Sequence, residues 1–178
     1  AISDGKNNKK SRFFIMPNQR DKAGNHKLAA LMTQHGLEVQ QVDEAFDACG
    51  KNYSAGAYFI DTAQPRGRFA TTTFIKQVDM AADFLKEQER RRSRKLDDEI
   101  YDVTGWSLPL IFNIDTDACG KTGSVASHRV HSDEPLVGKV SNPNATVAFL
   151  VPWGDMAAGR FLTAALQKGL VVKSADKD

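Results

Sequence analysis

Hydrophobic residues in this chain fall either into short unbroken runs or into stripes spaced three and four apart, with polar stretches between. The run "RFFIMP" (12–17) is apolar at consecutive positions and is stopped by Pro17, the pattern of a buried strand. In "NHKLAALMTQHG" (25–36), Leu28, Leu31 and Met32 lie at i, i+3 and i+4, which predicts a helix with one apolar face. Gly36 stands where a left-handed C-terminal cap belongs. "LEVQQV" (37–42) follows as a second strand, so residues 12–42 form a strand–helix–strand unit.

The same order returns in "TVAFLVPWGDMAAGRFLTAALQKGLVVKSAD" (146–176). Pro152 matches Pro17, the candidate cap Asp155 matches Asp21, and Gly169 matches Gly36. The helical stripe is Ala158, Phe161, Leu162 and Ala165. An internal duplication, with its second unit at 146–173, accounts for the correspondence. Independent convergence on a common pattern is the alternative. If the units are related, Leu28 and Phe161 are both expected against one sheet.

Between the units, "AYFID" (57–61) predicts another short strand, and Pro65 suits the first turn of a following helix. "VDMAADFLKEQERRRSRKLDDE" (78–99) carries an apolar stripe at Val78, Ala81, Ala82 and Leu85 before it becomes wholly charged. Glu87 and Arg91 are spaced to pair at i, i+4, and Asp97, Asp98 and Glu99 offset the arginines, so a solvated helix end is expected. Alternation of strands and helices predicts an α/β fold: a three-layer, doubly wound, flavodoxin-like sandwich around a mostly parallel sheet of about five strands. One domain over 12–178 is expected, with 1–11 as a linker or cut end of a longer protein.

Bulk properties narrow the partners. A net charge of +2 is too small for a surface built to hold nucleic acid. No apolar run approaches the roughly 20 residues that cross a bilayer, and the polar start "AISDGKNNKKSR" is no secretory signal. Two cysteines, Cys49 and Cys119, are too few for a disulfide framework. Each lies beside an aspartate in a loop-like setting that disfavours a thiolate, without a Gly-x-Cys-x-Gly elbow. Pairing with each other in an oxidising compartment is one reading, and catalytic use in an amidase is the other.

The closest approach to a metal motif is "HRVHSDE", with His128, His131 and Glu134. His131 and Glu134 have the His-x-x-Glu spacing of zinc carboxypeptidases, but no histidine follows to supply a third ligand. "DTDACGKTG" is not a phosphate loop, because Asp115 stands where such a loop needs glycine. "FFIMPNQRDKAGN" places a proline where a dinucleotide fingerprint would begin. The residues alone therefore give an α/β domain without a complete active site.

Two further stretches carry a family pattern: "AYFIDTAQPRGRF", with Gln64, Pro65 and Gly67, and "DEIYDVTGWSLPL", ending in Tyr101 through Leu110. Together with the flanking "FFIMP…HGLEV" and "AFLVP…KGLVV", they resemble the segments after the catalytic domain in large bacterial zinc carboxypeptidases (carboxypeptidase A-like metallopeptidases). The resemblance covers about residues 12 to 173 and implies a fold similar to class I glutamine amidotransferases. It further implies a periplasmic or secreted protein, with zinc and catalysis in the preceding domain and that domain as this chain's partner. No catalytic residue carries over. Within 101–110, Thr104 is expected to cap a short helix begun at Gly105. Tyr101 and Asp102 would fix the approach, and Trp106, Leu108 and Leu110 would pack toward the sheet, with Pro109 in the first turn. Gln64, Tyr101, Asp102, Thr104 and Trp106 are thus the structural, ligand or interface candidates. The leading expectation is a noncatalytic accessory domain. The alternative is a small-molecule or peptide-binding domain using a crevice at the strand C-termini.

Overall fold

A computed structural model describes residues 2–77, 80–99 and 105–175. The chain opens with α1 (Ile2–Asn7), then β1 (Phe13–Met16), α2 (Lys22–Gln34) and β2 (Gln40–Val42). A small hairpin follows, β3 (Phe46–Ala48) and β4 (Lys51–Tyr53), and then β5 (Tyr58–Asp61). Next come α3 (Gly67–Phe74), α4 (Ala82–Ser93), α5 (Leu108–Phe112), β6 (Asp117–Cys119), β7 (Ser127–Arg129) and α6 (Ala157–Gln167).

The predicted strand, helix and strand of 12–42 are present, but the sheet they enter is not the expected one. Five strands stand in the order β6-β1-β5-β2-β7, and every neighbouring pair is antiparallel. The parallel, flavodoxin-like sheet is therefore incorrect. β1 and β2 do run the same way, as a strand–helix–strand unit requires, but β5 lies between them and opposes both. This is a split βαβ unit. The sequence misled because an apolar run reports burial of both faces and carries no information on a neighbour's direction.

Both faces are indeed covered. Phe14 and Met16 of β1 and Tyr58 and Ile60 of β5 point to a core closed by Leu28, Ala29 and Met32 of α2 and Ala70 and Phe74 of α3. Phe13 and Ile15 point the other way, to a second core with Val42, Phe46, Ala48, Tyr53 and Cys119. The β3–β4 hairpin, in place of a helix layer, covers that face. Its two-residue turn is Cys49-Gly50, with φ of +50° and +74°, the left-handed signs of a type I′ turn. Gly36 closes α2 at φ +77°, as its position predicts.

The first residues form α1, which lies against α3, where a linker was expected. The expectation for a duplicated unit, with Leu28 and Phe161 against one sheet, is not met. α6 forms and Gly169 takes φ +70°, but neither 146–152 nor 170–173 is a strand. Phe161 is 47% exposed, whereas Leu28 is fully buried, so the two helices do not share a sheet. Apolar sequence by itself does not make a strand; it needs an edge to pair with, and among the described residues these segments have none.

Arg91 pairs with Glu99 and Arg92 with Asp98, while Glu87 reaches Arg90 at i, i+3 instead of Arg91. The expectation that the acidic residues offset the arginines holds in that altered pairing. Val78 lies outside the described residues.

Candidate functional site

Gln64 is buried, and its amide is fully engaged. Its Oε1 accepts from the Glu38 backbone N–H at 2.7 Å, and its Nε2 donates to the carbonyls of Glu38 at 3.1 Å and Asp61 at 2.7 Å. The side chain thus substitutes for a missing strand neighbour and ties the end of β5 to the approach of β2. That occupation makes Gln64 a structural residue with no donor left for a ligand. Gly67 opens α3 directly against the chain it has just left: a Cβ there would overlap the Thr62 carbonyl oxygen. The Gln-Pro-x-Gly pattern is therefore explained by packing.

Tyr101, Asp102 and Thr104 lie outside the described residues. The helix expected from Gly105 begins at Leu108, with Ser107 at its cap, and Pro109 sits in its first turn. It lies against α2 and α3. Leu108 and Phe112 turn to the core, and Pro109 is buried. Trp106 does not join them. It is 40% exposed, beside Leu110 at 60% and Ile111 at 57%. The expected inward packing of Trp106 and Leu110 is therefore incorrect. With one turn of helix, only positions 108, 109 and 112 reach the core, and 110 and 111 are carried to the opposite side.

A polar cleft of about 400 Å³ opens where β1 ends, between the hairpin and β6. Lys51 Nζ lies 2.6 Å from Asp117, and the Tyr53 hydroxyl donates to the same carboxylate at 2.9 Å. Burial alone pushes Asp117 up, but hydrogen bonds from Lys51 and Tyr53 and the charges of Lys51 and Lys76 leave it below the usual carboxylate range. Burial, then the bond to Asp117 and its charge, push Tyr53 up to about 12. Such a phenol stays protonated at neutral pH and serves as a hydrogen-bond donor, not a base. Lys76 donates to the Thr116 carbonyl at 2.8 Å. Lys51 and Asp117 thus satisfy each other, and Lys76 is held by a backbone carbonyl.

The histidine motif does not gather into a zinc donor set. His128 Nδ1 meets Asp43 at 2.6 Å on the edge strand β7, and the Glu134 N–H donates to the His131 carbonyl in a turn. Among the described residues, no three His, Cys, Asp or Glu side chains stand together as metal ligands would. Cys49 and Cys119 form a disulfide, with 5.8 Å between their Cα atoms, which removes both as nucleophiles while it is intact. It fastens the hairpin turn to β6.

One arrangement went beyond what the sequence signalled. Asp21 and Asp155 exchange caps: Asp21 accepts from Gly24 of its own helix and from Met156 at the start of α6. Asp155 accepts from Ala157 of its own helix and from Lys22 and Ala23 of α2. The matched positions of the two units thus meet at their helix N-termini. The signal available was their equivalence in the repeat. No described helix is long and apolar enough to cross a membrane. Comparison with family models, curated proteins and solved structures found no match for this chain.

Proposed function

We propose that this chain is a noncatalytic docking domain of a bacterial zinc carboxypeptidase-like protein, holding the peptidase domain of the same polypeptide. The observation that carries this reading is the outward set of Trp106, Leu110 and Ile111. Trp106 and Leu110 lie in the stretch that carries the resemblance, Ile111 follows it directly, and large apolar side chains grouped at a surface mark interfaces. A periplasmic or secreted setting fits the disulfide, which persists where the compartment is oxidising. Zinc would belong to the peptidase domain. The alternative, a ligand crevice at the strand ends, has its counterpart in the polar cleft. There Lys51, Asp117 and Lys76 already have partners, which favours docking over capture of a ligand.

Trp106→Ala combined with Leu110→Ala tests the reading. In this chain alone the pair should cost less than about 1 kcal/mol in a denaturant melt, as exposed substitutions do. In the full polypeptide it should lower the melting temperature of the peptidase domain by several degrees, on the order of a 1–2 kcal/mol loss. A loss of about 3–5 kcal/mol in the isolated chain, typical of a buried aromatic, would return Trp106 to the core and defeat the proposal.

A further inference from the structure

The second unit is left bare in a way that defines what would cover it. In the first unit β1 and β2 are parallel with one gap between them, and β5 fills that gap antiparallel to both. In the second unit 147–151 and 170–172 flank α6 as β1 and β2 flank α2, but among the described residues nothing is paired with either. Val147 is 96% exposed and Leu150 91%. Phe161 and Leu170, the counterparts of the fully covered Leu28 and Leu37, are also turned outward.

We propose that a second copy of this chain supplies the missing strand, its 147–151 taking in the first copy's unit the place that β5 takes between β1 and β2. The exchange is reciprocal. It closes a four-stranded antiparallel sheet about a two-fold axis, with the two 147–151 strands in the middle and the two 170–172 strands outside. Each α6 then covers a sheet as α2 does.

The sequence of the segment is complementary to itself in this arrangement. From residue 142 to 154, "NPNATVAFLVPWG" holds no charge, so antiparallel pairing meets no repulsion. Centred on Phe149, the register sets Phe149 against its mate, Val147 against Val151, and the small Ala148 against the large Leu150. Aromatic and β-branched cross-strand pairs are the favourable ones. A stable interface needs about 800 Å² per partner. Phe149 and Phe161 are 57% and 47% exposed, so each brings about half of the roughly 150–250 Å² of a whole aromatic residue, and Val147, Leu150, Leu170 and Val171 add the remainder. The inference goes beyond the docking reading and does not rest on it.

Sedimentation of the 178-residue chain at tens of micromolar should give twice its 19.6 kDa mass. Phe149→Lys, which puts two ammonium groups together on the axis, should weaken the dimer at least about tenfold. The variant should still melt cooperatively, like the wild-type chain diluted to monomer, because Phe149 touches neither core, and should lose only the strand signal and concentration dependence that the shared sheet brings. The double variant Ala148→Lys, Leu150→Glu places opposite charges across the strands and should restore dimer relative to Leu150→Glu alone. A monomer at these concentrations, a dimer indifferent to Phe149→Lys, or open-ended growth in place of a closed pair would each overturn the proposal.

Discussion

A phenol is buried at little cost only when its hydroxyl is engaged, and Tyr58 meets that condition twice. Gln41 Nε2 donates to its oxygen at 3.1 Å, and His26 Nδ1 lies 3.0 Å away. His26 Nε2 is 2.8 Å from the Glu134 carbonyl, which can only accept, so Nε2 carries the proton and Nδ1 of the neutral ring accepts from the tyrosine. Burial first, then the Glu134 charge, push Tyr58 up to about 12. An unfolded phenol ionises near ~10. A raised folded pKa gives stability that is whole below the unfolded value and is lost as pH climbs through the folded one. Stability should therefore fall between about pH 10 and 12, and Tyr58→Phe should make that decline shallower; denaturant melts across the window would show it. At this scale the sequence named residues better than their roles. Leu28, Met32 and Gly36 do what their spacing foretold, whereas the tasks of Gln64 and Tyr58 depend on partners far along the chain.

An element needs both local preference and something to lie against. α2 has a cap at Asp21, an apolar stripe and Gly36 to stop it, and it was legible for that reason. α6 has the same local signals and also forms, but its strands do not, because strand hydrogen bonds must come from elsewhere. The two helices are joined through Asp21 and Asp155, each of which caps both. Asp21→Ala and Asp155→Ala should each cost about 1–2 kcal/mol, and the double variant less than the sum, because each carboxylate holds one half of the same α2–α6 junction and losing either half loosens the other. Denaturant melts, with amide exchange in α6 as the local readout, would check this. Full additivity would mean that the caps act separately. α5 shows the limit of local reading: its existence and Pro109 followed from sequence, but which residues face inward depended on where one helical turn begins.

For the molecule as a whole, the disulfide and the strand order decide the architecture. Cys49 and Cys119 are 70 residues apart in sequence, and the bond pins the hairpin over the second core. In the chain-entropy account, a loop of that length contributes on the order of 4 kcal/mol. Cys49→Ser with Cys119→Ser should lose about 2–5 kcal/mol in urea melts, and reduction of the native chain should reproduce it. A loss under about 1 kcal/mol would place the stability of this face in the packing of Ile15, Phe46 and Tyr53 alone. Sequence left this pairing open because a cysteine's partner is fixed by geometry.

By itself the sequence determined where chain can be buried and where it must turn: the apolar run at 13–16, the amphipathic α2, the caps at Asp21 and Gly36, and the Pro and Gly that punctuate them. These follow from side-chain periodicity and backbone sterics, which are properties of neighbours along the chain. Tertiary structure alone decided that β5 opposes β1 and β2, that the hairpin covers the second face, and that Trp106 faces outward. Strand direction leaves no mark in a two-residue period, because an alternating strand pairs either way. Helix–sheet alternation predicts the layers only when no later strand enters the gap.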